Sequence, residues 1–182
     1  MQRSTSAALQ TERPASRKRR AARGRTTPAG AGLDIRPLHY GDLPDVIAIE
    51  RRAFPAPWSL AMFVLELSKP ASICLGAVRN GELVGYLVCS RYHTVWHLMN
   101  IAVDHDARRL GVARALIEHL LESTGAHERY TLEVRVSNDV AIHMYESFGF
   151  RTAGVRRRYY HDNNEDALIM WRTEAGAGSE RR

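Results

Sequence analysis

Cysteine and long apolar runs are scarce in this 182-residue chain. Only Cys74 and Cys89 occur, each within a strand-like apolar stretch. Buried free thiols are their expected state, which fits a reducing cytosol. No apolar run approaches the ~18 residues that a membrane-spanning helix needs, so no membrane partner is expected. The basic N-terminus has no apolar segment behind it, so no secretory signal is expected. These absences together point to a cytoplasmic protein. Also missing are the G-K-[ST] of a Walker loop, the G-x-G-x-x-G of a dinucleotide fold and any internal repeat.

The length suits one domain with a real core, and a hydrophobic content of 45% is ordinary for a globular chain. The net charge of +6 is unevenly spread. Residues 1–32 carry eight Arg and Lys against Glu12, a net +7, which leaves the remainder at −1. This segment is rich in Ala, Ser, Thr, Gly and Pro and has no apolar period, so a disordered tail is expected. It reads either as solvated chain or as loose attraction to RNA, including the ribosome. Residues 33–172 are the expected folded domain, and 173–182 a flexible Gly/Ala-rich end.

Within the domain, Leu33–Leu38 reads as a strand. Asp42–Phe54 reads as a helix with Val46, Ile49 and Ala53 on one face and Pro44 in its first turn. Ser59 can cap a second helix whose Leu60, Phe63, Val64 and Leu67 form an i, i+3, i+4, i+7 stripe, ended by Pro70. Asn80-Gly81 between Ser72–Arg79 and Glu82–Tyr92 is the strongest short hairpin signal. Val95–Val103 is a further strand. Gly111–Thr124 is a helix buried through Ala113, Leu116, Ile117, Leu120 and Leu121. Arg129–Val136 is a strand and Asp139–Phe148 a helix closed by Gly149. Gly154–Tyr160 and Ala167–Arg172 pair as the last strands. Early hairpins followed by strand–helix–strand–helix–strand argue for a mixed α/β sheet.

The segment Arg108-Arg109-Leu110-Gly111-Val112-Ala113 lies between a strand and a helix start. A helix N-terminus offers unpaired N–H groups and a partial positive charge, which suit phosphate. Gly111 permits close backbone approach, and Ala113 nearly so. Arg108 and Arg109 add charged donors. The bland alternative is a solvated basic loop, because Arg-x-x-Gly-x-Ala alone is a weak pattern.

Together with Leu132-Glu133-Val134-Arg135-Val136-Ser137-Asn138 and Tyr145-Glu146-Ser147-Phe148-Gly149-Phe150, this loop resembles the GNAT (Gcn5-related N-acetyltransferase) superfamily. More narrowly, the chain is similar to the bacterial ribosomal-protein-alanine N-acetyltransferases, the RimI family. That likeness rests also on Phe54-Pro55-Ala56-Pro57-Trp58-Ser59, Asn100-Ile101-Ala102-Val103-Asp104, Arg156-Arg157-Arg158-Tyr159-Tyr160 and Glu165-Asp166-Ala167-Leu168-Ile169-Met170. These occur in family order over about residues 33–171.

The resemblance implies the GNAT fold, a mixed sheet of about seven strands with about four helices and splayed strands four and five. It implies acetyl-CoA as co-substrate, held by Arg108–Ala113, by Asn138 and by the backbone of Ile101, Ala102 and Val103. It implies direct attack of a protein α-amine on the thioester, with Glu133 as base and Tyr145 as acid. The implied substrate is the N-terminal alanine of a small-subunit ribosomal protein. Phe54, Trp58, Tyr159 and Tyr160 resemble the family's substrate-side loops.

Each of these residues has a plainer reading. Glu133 inside an apolar strand is costly unless paired or used, and Arg135 on the same strand face is the obvious partner. Tyr145 reads equally as a core tyrosine beside Ala141 and Phe148. Asn138 can be no more than a helix cap. The four aromatics can simply close the core. Glu165 and Asp166 either attract a cationic peptide or cap a turn. His93 and His97 have H-x3-H spacing, but four residues of strand span about 13 Å, so no metal is expected. Other GNAT activities, on other protein N-termini, lysines or small amines, carry the same signature. A non-catalytic acyl-CoA- or RNA-binding module is the alternative of a different class.

Overall fold

The computed structural model describes residues 32–125 and 127–173. The basic tail expected at 1–32 therefore lies outside the described residues except for Gly32, and the C-terminal tail except for Thr173.

Seven strands form one sheet in the order β1-β2-β3-β4-β5-β7-β6. They are β1 (Leu33–Pro37), β2 (Ser72–Arg79), β3 (Glu82–Tyr92), β4 (Val95–Val103), β5 (Arg129–Arg135), β6 (Arg151–Tyr160) and β7 (Glu165–Arg172). The helices are α1 (Leu43–Ala53), α2 (Leu60–Ser68), α3 (Val112–Thr124) and α4 (Asp139–Ser147). Every strand pair is antiparallel except β4–β5.

Local chemistry explains most boundaries. Asn80 and Gly81 both take positive φ, 53° and 85°, as a two-residue hairpin turn demands. Ser59 caps α2 by accepting the Met62 N–H at 3.4 Å. Gly149, with φ 87°, turns the chain out of α4 and into β6.

Two apolar clusters lie on opposite faces of the sheet. Leu116, Ile117 and Leu120 of α3 pack with Leu87, Leu98, Leu132 and Val134, and Tyr145 and Phe150 join them. Val46 and Ile49 of α1 and Phe63 of α2 pack with Tyr86, Val88 and Ala102. Cys74 and Cys89 are free and buried, and burial pushes the Cys74 thiol up to about 11.

Several expectations are corrected. The α2 stripe is rotated: Leu60 and Val64 are 53% and 39% exposed, while Phe63 and Glu66 are buried. The reason is polar: Glu66 reaches into a pair of serines, taking the Ser72 hydroxyl at 2.9 Å and that of Ser90, with Lys69 at 2.6 Å. The strand expected over Arg129–Val136 ends at Arg135, and Val136 lies past it, exposed. Strand β6 starts at Arg151, three residues before the expected Gly154.

Candidate active site

The sheet opens in its middle. β4 and β5 pair only from Val95↔Arg129 to Leu98↔Leu132, and beyond that point neither strand has the other as a partner. A bulge accompanies the divergence: Val88 faces Asn100 and Cys89 faces Leu98, so Met99 is an extra residue in β4. Bulges bend a strand and redirect the residues beyond them. Ile101, Ala102 and Val103 remain paired to β3 through Leu87, Tyr86 and Gly85. Their other edge borders the opening, where backbone groups have no strand neighbour.

Glu133 is the first β5 residue past the fork. It shares a strand with Leu132 and Val134 but points away from their cluster. The plainer alternative, an ion pair with Arg135, does not form. Instead Glu133 Oε2 meets His97 Nε2 of β4 at 2.6 Å, and Oε1 meets Arg156 of β6 at 3.2 Å. The His97 bond, outweighing the effect of burial, holds its carboxyl below the usual range. Arg135 goes to Asp162 and Glu165, both within 2.9 Å, and its guanidinium covers the Tyr160 ring at 3.9 Å.

Tyr145 stands on the opposite face of the sheet from Glu133. It is buried on α4, with the Phe150 ring 5.8 Å away. Burial pushes its phenol well above the ordinary value, so it is a neutral O–H. The carboxylate and the phenol thus flank the two faces of the fork.

The loop before α3 has two left-handed residues, Arg109 at φ 61° and Gly111 at φ 79°. Alternation of this kind turns successive N–H groups into an anion-binding concavity. A Cβ built on Gly111 would meet no protein atom within 4 Å, so its backbone is open to an incoming group. Arg108 Nε reaches the Val103 carbonyl at 3.5 Å, tying the loop to the end of β4. Leu110 at 51%, and Val140 at 84% on α4, leave apolar surface exposed beside these elements. Asn138 caps α4 by accepting the Ala141 N–H at 3.2 Å. A helix start, two flanking arginines, an open glycine backbone and an unpaired strand edge suit a ligand with phosphates at one end and an amide-bearing arm.

A family model for the acetyltransferase (GNAT) family matches residues 43–150. The chain belongs to the GNAT acetyltransferase family. It is 39% identical over 140 residues to the [ribosomal protein bS18]-alanine N-acetyltransferase of Escherichia coli K12, covering 75% of this chain and 94% of that one. A Bacillus subtilis protein, a putative enzyme of the same description, is 35% identical over 148 residues, with coverage of 76% and 94%. The crystal structure of the E. coli ribosomal-protein-S18-alanine N-acetyltransferase superimposes with a TM-score of 0.72 at 38% identity, over 83% of this chain and 99% of that one.

The protein is therefore an acetyltransferase that uses acetyl-CoA, and the splayed seven-stranded sheet is the fold that the resemblance implied. No helix among the described residues is long and apolar enough to cross a membrane.

The aromatic residues fall into two groups around this acetyltransferase fork. Phe54 and Trp58 are half-buried against the α1/α2 cluster, Trp58 with the Phe63 ring at 5.3 Å. Tyr159 and Tyr160 lie at the end of β6, their rings 5.2 Å apart, with Arg156 over Tyr159 at 5.5 Å. Glu165 and Asp166 are both occupied: Glu165 accepts the Ser137 N–H of the β5–α4 connection at 3.0 Å, and Asp166 accepts the Arg158 N–H of β6 at 2.8 Å.

Sequence reasoning misses three residues. The H-x3-H spacing weighs His97 only against His93, which sits in the β3–β4 turn at φ 55°, so the strand-reach argument does not apply to the pair. Arg156 has no role in the sequence beyond its motif. Glu50 is buried on α1, where it accepts the Trp58 N–H at 2.6 Å, the Asn100 amide at 3.3 Å and the Tyr86 hydroxyl. The visible signal is its place beside Ile49 on the inward face.

Proposed function

We propose that this acetyltransferase modifies the N-terminal alanine of a small-subunit ribosomal protein of the bS18 type, in the cytoplasm. The observation that carries the reading is the match to E. coli and B. subtilis proteins of that description over 94% of each. The loop Arg108–Ala113 would hold the pyrophosphate, with Asn138 beside it, and the Ile101–Val103 edge would align the arm and its thioester carbonyl. The peptide end would enter from the α1/α2 face, past Phe54 and Trp58 on one side and Tyr159 and Tyr160 on the other.

Glu133 then supplies the basic end of the site, directly or through a water, and Tyr145 steadies charge developing on sulfur. An α-amine suits so weak a base. Its ordinary pKa of about 7.7–8.0 leaves it partly neutral at pH 7, whereas lysine near 10.4 is almost wholly charged. The +7 of residues 1–32 would add a separate, salt-sensitive attraction to ribosomal RNA.

A panel of peptides differing only in the first residue tests the reading, with CoA release as the readout. The Ala-first peptide should turn over fastest. Equal rates across the panel, or none, would refute the alanine assignment.

A further inference from the structure

The Glu133–His97 contact raises a question of proton bookkeeping. Both carboxylate oxygens are engaged, one by His97 Nε2 at 2.6 Å and one by Arg156 at 3.2 Å. The Glu133 side chain is only 8% exposed, while that of His97 is 26% exposed. Of the two, the imidazole is the one with surface left for water or substrate. An ionised carboxylate is an acceptor only, so Nε2 must carry the hydrogen of the 2.6 Å contact. In the neutral imidazole, the lone pair then sits on Nδ1.

We propose that His97, not Glu133, finally receives the proton of the attacking amine, with Glu133 fixing the tautomer and balancing the charge. This rests on the amine-acetylating reading above and specifies how its basic end works. As the nitrogen–carbonyl bond forms, an amine proton passes to Nδ1, directly or across one water. The imidazolium keeps Nε2–H on Glu133, whose negative charge stabilises it. The carbon–sulfur bond breaks, and sulfur leaves as a thiolate hydrogen-bonded by the Tyr145 phenol. His97 then releases its proton to solvent and the thiolate takes one up, so no net charge remains.

The groups around the pair agree with this polarity. β5 presents Glu133 to the imidazole, β3 presents the Tyr92 ring at 6.3 Å, and β6 presents Arg156 and Tyr159 to the far side of Glu133. The His97 bond first, with the Arg156 charge adding to it, holds Glu133 ionised, and an ionised Glu133 can only accept, so Nε2 carries the hydrogen. His97 lies on β4 one residue before the last paired position, opposite Thr131, so its backbone is anchored where the strands still pair.

His97→Gln keeps an N–H donor for Glu133 and removes the basic nitrogen. The variant should lose about 10²-fold or more in kcat and lose the acid limb of the parent's kcat–pH profile, with CoA affinity by calorimetry unchanged. Turnover within about threefold of the parent, with Glu133→Gln inactive, would make Glu133 itself the base and overturn the proposal. A parent that acetylates no peptide α-amine would instead refute the functional reading, whatever His97 does. A second measurement needs no variant. Nitrogen-15 spectra of the parent's histidines should place the neutral-form proton of His97 on Nε2, and a proton on Nδ1 would overturn the proposal.

Discussion

The backbone N–H of Trp58 donates to the buried Glu50 carboxylate at 2.6 Å. One carboxylate on α1 therefore fixes the α1–α2 loop, and through Asn100 and Tyr86 it joins that loop to β4 and β3. Glu50→Gln replaces one acceptor oxygen by a donor and leaves a neighbour unpaired. A buried unsatisfied group costs about 1–3 kcal/mol, so the variant should melt lower. It should also raise KM for peptide more than it lowers kcat, because the loop and not the fork is loosened. Thermal melts and peptide kinetics check both, and an unchanged KM would detach Glu50 from the substrate side.

Gly111 sits at φ 79° with open space where a side chain would project. Gly111→Val is strained there and would fill the approach to the helix start. Arg109→Ala removes a charged donor. Both should weaken CoA binding by calorimetry, Arg109→Ala by about tenfold or more with little loss of fold. Unchanged affinity in both would dismiss the loop as a phosphate cradle.

Tyr145→Phe removes one oxygen from a packed ring. Phe150 and the surrounding cluster remain in contact, so stability should change by less than about 1.5 kcal/mol. Single-turnover acetylation should slow while CoA affinity holds, because the hydroxyl is assigned to charge that develops only during reaction. Equal single-turnover rates would return Tyr145 to the core.

The fold was legible wherever local chemistry decides it. Asn80-Gly81 set the hairpin, Ser59 the start of α2 and Gly149 the end of α4. The α2 stripe was not, because Leu60, Phe63, Val64 and Leu67 satisfy the period while Glu66 decides the face. Glu50, four residues after Val46, and Glu66, three after Phe63, fall on inward positions of the period, but a carboxylate reads as solvent-side until its polar partners are known. The fork itself depends on the bulge at Met99, which no residue type announces. For the same reason the neighbours of Glu133 were not legible. Arg135 is two residues away on its own strand, yet the partners come from β4 and β6.

Asp42 is held down to about 2 by the Arg36 guanidinium, at 2.7 and 2.8 Å, with help from the His39 N–H. A carboxyl depressed in the folded state adds stability above its unfolded pKa of about 3.9. That contribution, about 1 kcal/mol after solvent screening, fades as pH falls from about 4 towards 2. Asp42→Asn should therefore melt lower than the parent at pH 7 and match it near pH 2. A difference that persists at pH 2 would assign the effect to packing.

The most direct test of the central claim uses two peptides. One begins with a free alanine; the other has the same sequence with a blocked N-terminus and an internal lysine. Near neutral pH the α-amine has a neutral fraction roughly a hundredfold or more larger than that of lysine, so only the first peptide should gain an acetyl group by intact mass. Acetylation of the blocked peptide's lysine at a rate matching the free alanine would contradict the N-terminal assignment and leave only the GNAT fold and its acetyl-CoA chemistry.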